Sequence, residues 1–143
     1  MIAPHLVTAA GLTLVAVLGG AHGSAQEMNT LTSAEQDAGW RLLVDGHSLD
    51  GWRGYNRDDL PGSWAVEEGL LTRVGPGGDI ITEAIFGDFE LSIDWMVEPG
   101  GNSGIFYRAV EGEQRVYHSA PEMQVLDDER HPDGRAEVTS AGS

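Results

Sequence analysis

The chain has 143 residues, a formal net charge of −15, no cysteine and eight basic residues, all arginine and all dispersed. With no positive stripe to neutralise phosphates, nucleic acid and anionic lipid surfaces are poor partners, and the lack of cysteine removes any disulfide framework, thiolate metal site or cysteine nucleophile. A chain of this length reads as one domain able to stabilise itself by apolar burial.

From Leu6 to Leu18 the residues are apolar or small, a run too short to cross a bilayer as a helix. It leads into Gly23-Ser24-Ala25, small residues of the kind an export peptidase accepts. Residues 1–25 are therefore expected to be a signal peptide cleaved near Ala25, although the first five residues offer only the terminal amine and His5 as positive charge. The mature protein is expected to be periplasmic or secreted, with no membrane contact after cleavage. Residues 26–38 read as a linker and a short helical turn. Thr32-Ser33-Ala34-Glu35 has the capping-box form, a hydroxyl for a backbone N–H and a carboxylate three residues on to answer it, and Gly39 ends the turn.

From Trp40 onward, short apolar runs alternate with glycine-rich turns, which predicts an all-β sandwich or barrel. Arg41–Val44 meets Asp45-Gly46, Ser63–Glu67 meets Glu68-Gly69, Leu70–Val74 meets Gly75-Pro76-Gly77-Gly78, and Ile80–Thr82 follows. The run Gly75–Gly78 lacks the lysine and helix of a phosphate loop and reads as a hairpin connection. The clearest strand is Phe89–Glu98, where Phe89, Leu91, Ile93, Trp95 and Val97 alternate with Glu90, Ser92, Asp94, Met96 and Glu98. On this pattern Trp95 and Trp64 are core, while Trp52 and Tyr55, beside Gly51 and Gly54, are the exposed aromatics suited to stacking on a sugar.

Two later runs, Gly100–Arg108 and Pro121–Asp127, place many different polar groups in otherwise apolar strands. Alternation projects Glu122 and Gln124 together, and puts Phe106 and Arg108 on one face of the preceding strand. If the two strands pair, Arg108 reaches Glu122 or Gln124. Each residue has a plainer reading: Arg108 and Glu122 as a cross-strand salt bridge worth under ~1 kcal/mol, and Gly101-Asn102-Ser103-Gly104 as a turn chosen for positive φ. Together, so varied a polar set points to a ligand face. Glu129, His131 and Asp133 imitate the start of a calcium loop, but Ser140 stands where the closing glutamate belongs. A divalent ion at Asp127 or His131, with Asp128 or Asp133, is the remaining metal reading; Ser119 beside His118 lacks the glycines of a nucleophile elbow.

The motifs Gly39–Gly46, Leu49–Trp52, Trp64–Gly69, Gly78–Ile80, Gly101–Arg108 and Pro121–Asp127 together resemble the 3-keto-disaccharide hydrolase domain family, over almost all of the chain beyond Thr32. The resemblance implies a concanavalin A-like jelly-roll sandwich of two antiparallel sheets, holding a saccharide on its concave face, in an exported bacterial protein. It also implies a substrate already oxidised to a ketone at C3, from which a base removes the C2 proton so that the group at C1 leaves, with water added afterwards. Carried onto this chain, Glu122 and His118 or His131 are candidates for proton transfer, Arg108 and Gln124 for the oxyanion, and Asn102 and Ser103 for sugar hydroxyls. Family members continue beyond the segment matching Thr139–Gly142, so residues 39–143 are expected to be the N-terminal part of such a domain, incomplete at its C-terminus. Two rivals stand beside this reading: a retaining glycoside hydrolase using Glu122 and Asp127, and a non-catalytic carbohydrate-binding module.

Overall fold

The computed structural model describes residues 2–4 and 28–143. At its polar start, α1 (Ser33–Asp37) is a single turn closed by the expected capping box. The Thr32 hydroxyl accepts the Glu35 N–H at 3.3 Å, and Glu35 Oε2 accepts the Thr32 N–H at 2.6 Å. Gly39, at φ +88°, takes the left-handed conformation that stops the helix.

The rest of the described chain is strand and turn: β1 (Ile2–Pro4), β2 (Trp52–Gly54), β3 (Trp64–Glu67), β4 (Leu70–Arg73), β5 (Ile80–Thr82), β6 (Ile93–Trp95), β7 (Asn102–Phe106) and β8 (Glu122–Leu126). Every pairing is antiparallel. The sheets run β3-β4-β1-β6, β2-β5 and β7-β8, so the protein is all-β as its turn chemistry predicts. β3 and β4 form a two-residue hairpin in which Glu68 and Gly69 both have positive φ, 51° and 82°, the twist-matching turn that two-residue loops need.

Three local expectations change. Gly75–Gly78 is no hairpin connection, because β4 pairs with β3 whereas β5 pairs with β2; the glycine-rich segment carries the chain from one sheet to another. Arg41–Val44 is not a strand, although Val44 is buried in the core. The ten-residue strand expected over Phe89–Glu98 shrinks to β6, and Phe89 and Trp95 stay 40% and 37% exposed. A ladder extends only as far as its partner, and β6 pairs with the three residues of β1, ending against Pro4, which has no N–H to offer. Of the expected leader 1–25, Ile2–Pro4 is described, its backbone lying between β4 and β6; the remainder falls outside the described residues.

Among the described residues the buried apolar core is Val44, Leu71, Val116, Val125 and Leu126. Successive residues of a strand point to opposite faces, so burial of both Val125 and Leu126 means that β8 is covered on each side. This anchors the strand that carries Glu122 and Gln124.

Candidate functional site

The β7–β8 ladder pairs Asn102 with Leu126, Gly104 with Gln124, and Phe106 with Glu122. Directly opposed residues in an antiparallel pair share a face, so Asn102, Gly104, Phe106, Glu122 and Gln124 project together while Ser103 and Ile105 go to the other side. The main chain of Gln124 turns outward: its N–H meets the Ser143 carbonyl at 3.4 Å and its carbonyl accepts the Gly142 N–H at 2.9 Å. Residues 142–143 thus back the outer edge of β8 at the centre of the polar face.

Glu122 is half-buried and lies back over Gly104, where a Cβ would stand 1.7 Å from its Oε1. Burial pushes its carboxyl above the ordinary glutamate range, and the negative charge of Asp79 pushes in the same direction. Asp79 begins the run into β5, and its carbonyl is tied to the Tyr55 N–H at 2.9 Å. Beside Glu122, the Gln124 Oε1 is buried with no hydrogen-bond partner, an acceptor left for a donor that the described residues do not supply.

An open groove of about 300 Å³ adjoins this face, lined by Trp64, Arg73, Met96, Glu98, Asn102 and Ser103 among others. Trp64 and Arg73 are register partners across the β3–β4 hairpin. Both are fastened to the segment that leads to Asp79: Trp64 Nε1 donates to the Gly78 carbonyl at 3.0 Å, and Arg73 donates to the carbonyls of Gly75 at 3.2 Å and Gly77 at 3.0 Å. The sequence pattern puts Trp64 in the core and marks neither Arg73 nor Asp79. Their placement was nonetheless readable, since Trp64 and Arg73 stand at equal distance from the Glu68-Gly69 turn.

Several expected site residues are placed elsewhere. Arg108 reaches neither Glu122 nor Gln124: β7 ends at Phe106, Arg108 itself adopts φ +56°, and its guanidinium lies 3.7 Å from Asp88 with 72% of the side chain exposed. The left-handed residue breaks the alternation on which the expectation rested. Trp52 is an anchor, its Nε1 donating to the Leu43 carbonyl at 2.6 Å, and the Tyr55 hydroxyl is spent on the Val110 carbonyl at 2.7 Å. Exposed His118 stacks edge-on against Tyr117, with ring centroids 4.8 Å apart, on the 3-10 turn Val116–His118. His131 caps the turn Pro132–Arg135, its Nδ1 accepting the Asp133 N–H at 3.2 Å.

Asp127 closes the end of the ladder. Its Oδ2 accepts the Gly100 N–H at 2.8 Å and its Oδ1 the Glu129 N–H at 3.1 Å, which holds its carboxyl below the usual range. Those oxygens serve backbone N–H groups and His131 Nδ1 serves the Asp133 N–H; among the described residues no three histidine, aspartate or glutamate side chains gather as a metal site. Asp127 also follows Leu126 on β8 and so leaves the face of Glu122, which separates the carboxylate pair that a retaining glycosidase needs.

A second arrangement ties β2 and Asn56 to residues 111–113. Arg53 on β2 makes a paired contact with Glu111, at 2.6 and 2.8 Å, and Glu111 Oε1 also accepts the Asn56 N–H at 2.9 Å. The Asn56 side chain bonds Glu113 O at 2.6 Å and the Gly112 N–H at 2.8 Å. These bonds, led by Arg53, lower the Glu111 carboxyl to about 2.

Residues 39–143 match the family model described as a 3-keto-alpha-glucoside-1,2-lyase-like domain. The chain is 38% identical over 130 residues to a 3-keto-disaccharide hydrolase of Bacteroides thetaiotaomicron, an alignment covering 78% of this chain and 45% of that protein. It also resembles the crystal structure of a candidate glycosyl hydrolase from Parabacteroides distasonis, with a TM-score of 0.61 and 28% identity over 80% of this chain and 53% of the other. The chain thus spans about half the length of these relatives.

Proposed function

This chain belongs to the 3-keto-alpha-glucoside-1,2-lyase-like domain family, and from that premise we propose that its polar face acts on glycosides carrying a ketone at C3, with Glu122 as the base. A C3 carbonyl acidifies the C2 proton. Glu122 takes that proton, the C2–H electrons form the enolate with its charge on the C3 oxygen, and the enolate then expels the C1 oxygen substituent, which leaves with a proton. Water adds across the resulting C1=C2 bond, hydroxyl to C1 and proton to C2, so the net change is hydrolysis. The relative from Bacteroides, named a 3-keto-disaccharide hydrolase, supports a substrate of this class.

The observation that carries the reading is the half-buried Glu122, its proton affinity raised by burial and by Asp79. A base works best with a pKa near the operating pH, and this environment moves a carboxylate toward it. Gln124 shares the face of Glu122, and Asn102 at the edge of the groove supplies an amide for a sugar hydroxyl. Arg73, rather than Arg108, is the arginine lining that groove, and Trp64 across from it presents an aromatic ring for the other half of the substrate. Cleavage of a leader at residues 1–25 and export to the periplasm or medium belong to the same proposal.

Incubation with a 3-keto-glucoside and with its unoxidised parent is the test. Turnover of the ketone alone is expected. Cleavage of the parent supports a conventional glycosidase instead, and binding of both without turnover supports a carbohydrate-binding module.

A further inference from the structure

We propose that Gly104 is a positioning residue for Glu122, its missing side chain providing the seat into which the Glu122 carboxylate folds. The proposal rests on the reading of Glu122 as the base. A Cβ on Gly104 would lie 1.7 Å from Glu122 Oε1, 2.5 Å from Cδ and 2.8 Å from Cγ, all far inside van der Waals contact. Any larger residue therefore forces the whole outer half of the Glu122 side chain to move.

The backbone gives no other reason for a glycine there. Gly104 lies inside β7 and is absent from the residues with positive φ, so the turn expected from Gly101-Asn102-Ser103-Gly104 does not explain it. Glycine within a strand weakens it, because it loses more backbone freedom on folding and has no side chain to pack. What the position does instead follows from register. Gly104 faces Gln124, and Glu122 lies two residues along the same face of β8. Glu122 can thus lie flat across bare backbone, half removed from water, with Asn102 and Phe106 on either side of the seat. A carboxylate held flat leaves the face low, so that a sugar ring can settle over it with its C2 proton toward the base. Displacing a catalytic group by about 1 Å costs on the order of 100-fold in rate.

The test compares wild type, Gly104→Ala, Glu122→Gln and the double variant Gly104→Ala/Glu122→Gln. In protein labelled with carbon-13 at the glutamate carboxyl, the Glu122 signal is expected to titrate above ordinary glutamate in wild type and to return to the ordinary range in Gly104→Ala. With the 3-keto-glucoside, Gly104→Ala is expected to lower kcat by on the order of 100-fold with KM little changed. In the Glu122→Gln background the same alanine should leave the residual rate unaltered. A wild-type titration in Gly104→Ala overturns the proposal, and so does an undiminished kcat or an equal loss in the Glu122→Gln background. If Glu122→Gln itself keeps the wild-type rate, the base assignment fails, and the titration alone still decides whether Gly104 seats the carboxylate. Should Gly104→Ala fail to fold, Gly104→Ala/Glu122→Asp, one methylene shorter beside the added methyl, is expected to fold; its failure as well overturns the proposal.

Discussion

Two glutamates of this protein are pushed in opposite directions, and each consequence is measurable. Glu111 is lowered from 4.5 to about 2 by Arg53 and the Asn56 N–H. A depressed carboxyl adds stability that is fully present above its unfolded value and is lost as pH falls through the folded value. Thermal melts from pH 5 down to pH 2 should therefore show a decline that Glu111→Gln flattens. An unchanged slope in the variant would mean that Arg53 and Glu111 do not couple to folding. Glu122 is raised, so the sign reverses: the folded state holds its proton more tightly, and stability falls as pH rises from the unfolded value through the folded one. Glu122→Gln should accordingly melt higher than wild type near pH 7 while losing turnover. A lower melting temperature there would contradict the burial cost assigned to this carboxylate. Alternation alone projects Glu122 and Gln124 together, as the ladder does, whereas Asn102, expected at a turn, joins their face only through strand register. Arg108 leaves that face because β7 ends at Phe106 and Arg108 itself takes a positive φ, and nothing in Phe106-Tyr107-Arg108 announces that conformation.

At the scale of elements, local chemistry was the most legible. The Thr32–Glu35 capping box and the Glu68-Gly69 turn are written in a few adjacent residues and formed as expected. Glu68 occupies a left-handed position for which glutamate is poorly suited. Asparagine tolerates it, and Asn-Gly is the preferred pair for this turn. Glu68→Asn should stabilise the β3–β4 hairpin by about 0.5–1 kcal/mol, measured by urea unfolding; a loss of stability would indicate that Glu68 makes a contact outweighing its backbone strain. Thr32→Ala should cost about 1 kcal/mol by the same method through loss of the cap. Sheet assignment was much less legible. The run Phe89–Glu98 has a clear two-residue period, yet only Ile93–Trp95 pairs, because a strand needs a partner as long as itself and the partner is set by distant residues. The same dependence moved Gly75–Gly78 from a hairpin to a link between sheets.

For the whole molecule, the core is narrow and the charge is high. Among the described residues five make up the buried apolar set, two of them on β8, so the strand bearing the proposed base is also one whose packing matters most. Leu126→Ala should cost about 2–5 kcal/mol, read from denaturant unfolding, and should take turnover down with it; a near-neutral effect would show that β8 is held mainly by its backbone ladder. The net charge of −15 was visible in the composition and bears on partners and self-repulsion rather than on topology. What joins the scales is one face, on which register brings Glu122, Gln124, Asn102 and the bare backbone of Gly104 together. The most direct test of that account is proton nuclear magnetic resonance of a 3-keto-glucoside turned over in heavy water by wild type and by Glu122→Gln. The account predicts that the wild-type product carries deuterium at C2 and that the variant slows both cleavage and this exchange by about 100-fold or more. Cleavage with the C2 proton fully retained, or an unslowed variant, would contradict it.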